Sequence, residues 1–495
     1  MSVKVRYKDV AIGADKDATV ITTSKTGFSD PAQIPFGVNP PALATCELNG
    51  WGLSHNYKAR GNHSIAFWSN ELSGEDCVFP NVPTITLEFT EQYTTTGLTI
   101  QFAVNSVDFC RKLAVYWYQD GEVKEQAEYT PETPFFVLNK TVEAFDKIVF
   151  EFHETNLPRK RCKVEGIIIG VVRDFNTTEL KAVKAIHEID LISSTVPINV
   201  LDASVHGTDE VDYIFQKKQP VEMTENGNLI GVYYIDKGER TGRLDISFSC
   251  KDAIGLLDLV TYGGGLWLTD TPLTTVLNDV FGGLYEFDID PAYKDATLRG
   301  FIEPDKKQRE ALQHIAFALG AIVDTTGTHK IKIFPPPLLT SGIEEISSKK
   351  TYTGGKVATS DTVTGVEITA FDIVDERPGD KDESIEFNEV EYKYTTQIFT
   401  ASNPNTVTSD PENVKKFDKC YLVNSSNGQR LAYNIMAYYQ KRNKYAFKHI
   451  LEGQQVAEKY SATLPWGDVV NGHITKMTVT TSNITVSDSE MLIDG

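Results

Sequence analysis

Apolar and polar positions alternate between 244 and 250, where Leu244, Ile246, Phe248 and Cys250 interleave with Asp245, Ser247 and Ser249. That period of two predicts a half-buried strand. A β-hairpin turning at Asn226-Gly227 precedes it, because Asn-Gly readily supplies the two positive φ angles of a tight turn, and a short helix starts at about Asp252. Strand patterns also crowd residues 37–172, at 44–48, 64–68, 85–89, 98–103, 113–118, 135–138, 147–152 and 164–171, with a two-residue turn at Asp120-Gly121. Eight strands without a helix describe a β-sandwich. A further strand pair is expected around 186–192 and 198–201.

Helical periodicity is confined to a few places. Thr271-Pro272 opens a helix carrying Leu273, Val276, Leu277 and Val280, stopped by Gly282. Asp305 with Gln308 forms a capping-box pattern before Ala311, Leu312, Ile315, Ala316 and Leu319, stopped by Gly320. A third helix, 429–441, aligns Leu431, Ile435, Tyr438 and Tyr439. Pro335-Pro336-Pro337 breaks the pattern after a strand at 330–334, and three residues without backbone donors make a stiff link. Strands return at 366–374, 385–394 and 473–486. The chain thus divides into an arm or docking strand (1–36), a sandwich (37–172), a β-rich segment (173–252), a small α/β unit (253–335) and a second β-rich segment with one helix (338–495).

Composition agrees with a mainly β, multi-domain protein: 495 residues, 41% hydrophobic, with 21 Tyr and 25 Phe, allow several separate cores. The formal charge of −20 excludes a general grip on nucleic acid, which needs Lys and Arg to displace phosphate counterions. The N-terminal sequence lacks an apolar export segment, so synthesis in the cytosol is expected. Six scattered cysteines without a CxxC read as reduced core residues.

Candidate chemistry is sparse. No HExxH, GxSxG or Walker loop occurs, so no catalytic residue, metal or cofactor is assigned. His187 alternates with Glu188 on what reads as a solvated strand, His314 reads as a satisfied boundary residue, and Gly263-Gly264-Gly265 reads as a flexible turn. Trp51, His55, Tyr57, Arg60 and Trp68 combine aromatic faces with polar groups, the chemistry of a carbohydrate site, although the two tryptophans are equally at home in a core or a protein contact. The acidic stretch 361–391 holds eleven Asp or Glu against Arg377 and Lys381. It is a solvated edge or, with Asp372, Asp375, Glu376, Asp380, Asp382 and Glu383 along a channel, a wall that repels DNA phosphates.

Two resemblances add to this reading. The Pro220-Val221 strand, the Asn226-Gly227-Asn228 turn, the Tyr-rich return strand and the helix start Asp252-Ala253-Ile254-Gly255-Leu256-Leu257-Asp258 resemble the hub proteins of phage and phage-like tails. Strand 98–102, the 113–118 strand with its Asp120-Gly121 turn, and the 147–152 strand leading through Pro158-Arg159-Lys160-Arg161 into 164–170 resemble the galactose-binding, discoidin-like jelly roll. Together the two resemblances imply a jelly-roll β-sandwich followed by two tube-like β-barrel hub domains flanking the α/β unit, the barrels from the likeness to hubs. That likeness implies a homotrimer whose partners are the tail tube, the spike and the baseplate or tail-tip proteins, with DNA passing through and no specific binding. Its final location would be the tail of a virion or phage-like particle. A different class, a cell-wall carbohydrate-binding adhesin or hydrolase-associated module, is implied if the sandwich takes a cell-surface glycan.

Overall fold

The structure, a computed structural model, describes residues 3–11, 13–27, 29–36, 66–102, 109–207, 218–283, 285–336, 343–407, 411–481 and 484–494. It is mainly β, in several sheets, and forms two compact units, one of residues 6–174 and one of residues 1–5 with 175–495.

The smaller unit is built around two long strands, Thr84–Phe102 and Phe135–Thr155, which pair along most of their lengths. Each reads in the sequence as two strands separated by polar residues. The polar stretches 90–97 and 139–147 instead remain extended and pair across Tyr93–Phe145 and Thr95–Val142, with irregular register. Backbone pairing there overrides the weak apolar pattern. Strands Cys110–Gln119 and Glu122–Tyr129 extend one side, and Lys163–Ile168 with Phe67–Trp68 the other. Residues 6–36, expected as an arm or docking strand, lie within this compact unit: Thr19–Thr22 pairs with the Thr84–Phe102 strand, and Ala14 and Ile34 are buried in the unit's core. That core mixes aromatic and aliphatic side chains. Phe67, Phe102, Phe145, Phe150, Phe152 and Trp117 are fully buried, and Phe152 packs against both Phe67 and Phe102 at centroid distances of 6.4 and 6.3 Å. Such rings contribute large apolar area plus edge-to-face contacts.

The larger unit carries one long sheet. Its strands lie in the order Lys356–Thr359, Asn443–Ile450, Thr485–Ile493, Val469–Thr481, Leu180–Glu188, Val200–His206, Asp245–Lys251, Asn228–Arg240 and Pro220–Glu225. The β strands of the 173–252 and 338–495 segments therefore join at a single seam, Leu180–Glu188 against Val469–Thr481, in antiparallel register from Val183↔Thr481 to Glu188↔Lys476. The hairpin turn is at Asn226-Gly227, with φ of 50° and 86°. Two successive positive φ values make it a mirror-image turn whose twist matches the strands.

Three helices cover an apolar core beside this sheet: Leu273–Phe281, Gln308–Leu319 and Gly428–Tyr439. Leu273, Val276, Leu277, Leu312, Ile315, Leu431 and Ile435 pack in one cluster. The second helix starts two residues later than its sequence suggests, with Lys307 as its N-cap. Glu310 Oε2 accepts from the backbone N–H of Lys307 at 3.0 Å, closing the first turn around Lys307, whereas Asp305 sits upstream in the left-handed region with φ of 63°. A separate four-stranded sheet, Glu383–Phe387, Val390–Ser402, Gly365–Ile373 and Val414–Phe417 in that order, packs on the third helix. The single strand expected at 385–394 is a hairpin there, because Asn388 and Glu389 both take positive φ.

Candidate functional site

Alternation gives the long sheet two chemically different faces. Val183, Ala185, Leu201, Ala203, Val205, Ile246, Phe248 and Cys250 are buried on one. On the other, the register aligns Thr480, Lys184, Asp202 and Ser249 in one row, and Ala182, Ser204 and Ser247 in the next. These small and polar side chains line an open depression of about 830 Å³. Several charges on this face are paired across strands. Lys476 donates to Glu188 at 2.8 Å, Lys251 lies 3.2 Å from Asp236, Lys448 lies 3.5 Å from Asp488, and Lys181 donates to Asp245 at 2.5 Å. Hydrogen bonds from Lys181 and His206 hold the Asp245 carboxyl below its usual range, and the Glu188 contact raises Lys476. Each exposed pair stabilises little.

The buried face is tied to the helical region by a polar joint. Asp252, fully buried, caps the helix Ala253–Leu257 by accepting from Gly255 N–H at 3.1 Å. Its other oxygen accepts from Thr325 Oγ1 at 2.7 Å, and Asn199 Nδ2 donates to the same Thr325 hydroxyl at 3.0 Å. Burial pushes the Asp252 pKa up to about 6, with the hydrogen bonds opposing. His187 lies nearby on the inward side of its strand, stacked on and hydrogen-bonded to Tyr233, and burial lowers its pKa to about 4. The expectation of a solvated His187-Glu188 strand thus holds for Glu188 alone. His187 and Cys250 share the inward face. The first is masked in the sequence by its charged neighbours.

The other residues singled out from the sequence fall in several places. Trp51, His55, Tyr57 and Arg60 lie outside the described residues, as does Cys46. Trp68 is partly buried on its short strand, with Lys163 Nζ 4.8 Å from the ring centroid, a cation–π arrangement that occupies one ring face. Asp372 accepts from Arg299 at 2.8 Å and from Ser425 Oγ at 2.9 Å. Asp375, Glu376, Asp380, Asp382 and Glu383 are exposed at one end of the four-stranded sheet and are not part of the long sheet. Asp382 is held below the usual range by Gly379 N–H and Lys393. Cys77, Cys110, Cys162, Cys250 and Cys420 are free thiols. His314 is buried, but its Nδ1 has no hydrogen-bond partner among the described residues, so it is not a satisfied boundary residue. The three consecutive glycines open the strand Gly265–Pro272 rather than a helix, which removes any phosphate cradle there. Among the described residues no group of three or more His, Cys, Asp or Glu is placed to hold a metal ion.

Solved structures similar to this chain include the tail protein from Neisseria meningitidis MC58, at 11% identity over 65% of this chain and 94% of that one, with a TM-score of 0.47. The 43 kDa tail protein of prophage MuSo2 from Shewanella oneidensis is similar at 7% identity over 64% and 94%, with a TM-score of 0.45. The family 32 carbohydrate-binding module of C. perfringens NanJ, solved with galactose, matches at 7% identity over 33% of this chain and 96% of that one, with a TM-score of 0.20. The chain resembles tail proteins and galactose-binding folds. No family model and no curated protein matches the sequence.

Proposed function

We propose that this chain is a structural, non-catalytic hub of a bacteriophage or phage-like tail, present in three copies and joining the tail tube to the baseplate or tail tip and its spike. The observation that carries this reading is the long sheet. One of its faces is sealed by helices and a polar joint, while the other is open and carries ion pairs across strands from both halves of the unit. A sheet of this kind suits the wall of a passage, because charges held in local pairs exchange few counterions with a polyanion. The 216–258 segment supports the reading too, since its hairpin, strand and capped helix fold in the order that its likeness to tail hubs implies. Assembly in the host cytoplasm and final residence in the tail follow from that role. In this reading the sandwich serves to bind protein partners or a cell-surface glycan.

A reconstruction of particles carrying this chain tests the proposal. The expected result is a threefold ring on the tail axis whose lumen is lined by Lys184, Asp202, Ser204 and Thr480. A chain found off the axis, or present in six copies per ring, would refute it.

A further inference from the structure

A knob and a hole of matching chemistry lie on the larger unit. The knob is the tip of the hairpin between strands Lys459–Thr463 and Val469–Thr481, with the sequence Leu464-Pro465-Trp466-Gly467-Asp468. Trp466 is 62% exposed and the adjoining Val469 is 67% exposed. Trp466 Nε1 donates to Asp468 Oδ2 at 2.8 Å, so ring and carboxylate are held together before any partner arrives. A preorganised exposed tryptophan is costly to leave in water and is among the residue types that dominate binding energy at interfaces.

The hole is a pocket of about 320 Å³ between the helices Gln308–Leu319 and Gly428–Tyr439, with Leu191, Phe317, Pro335, Pro336, Leu431 and Tyr438 on its walls. That volume is at the small end of the range for pockets that enclose an organic group. Polar groups also line it, among them Arg430, Asn434, Lys441 and His473, and among the described residues the lining includes no carboxylate. Arg430 commits one guanidinium N–H to Leu319 O at 3.0 Å. The pocket therefore calls for an apolar aromatic body with an acidic group within reach of a guanidinium.

We infer that this pocket receives the Trp466 tip of a second copy of the same chain, with the indole ring in the apolar cleft, its N–H still holding one oxygen of Asp468, and the other oxygen of that carboxylate at Arg430. Because knob and hole are different patches of one molecule, the contact is head-to-tail, and such contacts close into rings when the rotation between copies is right. The inference rests on the ring-forming reading above and names the joint that would close it.

The test uses the full chain. A photo-reactive benzoylphenylalanine at position 466, irradiated in a mixture of isotopically light and heavy protein at concentrations approaching millimolar, is expected to give between-copy cross-links to 430–441 or to Leu191-Ile192. Cross-links only within one copy, to other surfaces only, or none at all would overturn the inference. In parallel, Trp466→Ala removes the knob, and Ala437→Phe, at an exposed position on the pocket lining, blocks the hole. Each is expected to weaken self-association roughly 30-fold or more, with circular dichroism unchanged because both positions face solvent. An equimolar mixture of the two variants keeps one good knob and one good hole, so it should yield pairs and no closed rings. A ring indifferent to both variants overturns the joint and leaves the hub reading standing. Loss of the ring in both variants, combined with a particle reconstruction that puts the chain off the axis, keeps the joint and removes the hub.

Discussion

The two units solve the same problem, burial of a β-sheet face, with different materials. In the smaller unit the core combines the fully buried rings of Trp117, Phe145, Phe150 and Phe152 with a larger number of aliphatic side chains such as Ile85, Leu87, Ile100 and Leu113. In the larger unit an apolar helical cluster works together with buried hydrogen-bonding groups, Asn199, Asp252 and Thr325 on one side and His187 with Tyr233 on the other. Ring packing is insensitive to pH. A joint made of an aspartate and a histidine is not, because each changes charge where burial penalises the charged form.

Core truncation gives the largest separation between the units. Phe150→Ala in the smaller unit is expected to cost about 3 to 5 kcal/mol and Leu312→Ala in the larger about 2 to 5 kcal/mol, the range for emptying a fully buried site. Differential scanning calorimetry should show each variant lowering one transition and leaving the other in place. A single transition displaced equally by both variants would show that the units unfold together, and the comparison would lose its basis.

Titration sharpens it further. His187 has a folded pKa of about 4 against an ordinary 6.5, so its contribution is present above pH 6.5 and is lost as pH falls toward 4. Asp252 runs the other way: with a folded pKa of about 6 against 3.8, its contribution is present below pH 3.8 and is lost as pH rises toward 6. Between pH 4 and 6 the two slopes oppose. Asp252→Asn removes the aspartate slope and leaves that of His187, joined by His449 and His473, whose pKa values burial also lowers. Urea denaturation of the larger unit from pH 4 to 6 should therefore show stability rising with pH more steeply in Asp252→Asn than in the wild type, by about 2 kcal/mol over the range. Parallel slopes in the two proteins would remove Asp252 from the account, and a changed slope in the smaller unit would show that the effect is not local.

The sandwich and the sheet around 244–250 were legible because period-two alternation records directly which face is wet, and Leu244 to Cys250 alternate cleanly. The hairpin at Asn226-Gly227 was legible for a similar reason, since few residue pairs accept two positive φ values. The seam between Leu180–Glu188 and Val469–Thr481 was not, because nearly 300 residues separate the partners and no local pattern states which distant strand completes a sheet. The polar joint was hidden for the same reason: Asn199, Asp252 and Thr325 are ordinary polar residues until the fold brings them together. The polar intervals at 90–97 and 139–147 read as loops because pairing, not apolar content, keeps them extended. Of the residues proposed from the sequence for a channel, Asp372 and Asp382 turn out to have specific partners in Arg299 and Lys393, which a count of acidic residues could not show. Trp466 was missed although an aromatic within Pro-Trp-Gly-Asp between two strands is a visible sign of an exposed turn.

The smallest expected effect concerns where the helix Gln308–Leu319 begins. The sequence offers Asp305 as its cap, but the structure places Asp305 outside the helix at a φ of 63° and gives the reciprocal bond to Glu310, which accepts from Lys307 N–H. Removing that acceptor leaves one N-terminal donor to water and takes a negative charge from the positive end of the helix dipole. Glu310→Ala is therefore expected to lower the stability of the larger unit by about 1 kcal/mol. Asp305→Asn keeps a residue that tolerates the left-handed region and deletes only a charge, so its effect should be close to zero. Chemical denaturation of both variants followed by the larger unit's transition decides the matter. If Asp305→Asn costs as much as Glu310→Ala, the helix starts where its sequence pattern suggests, and the smaller unit, which packs no comparable helix, should in either case be unmoved.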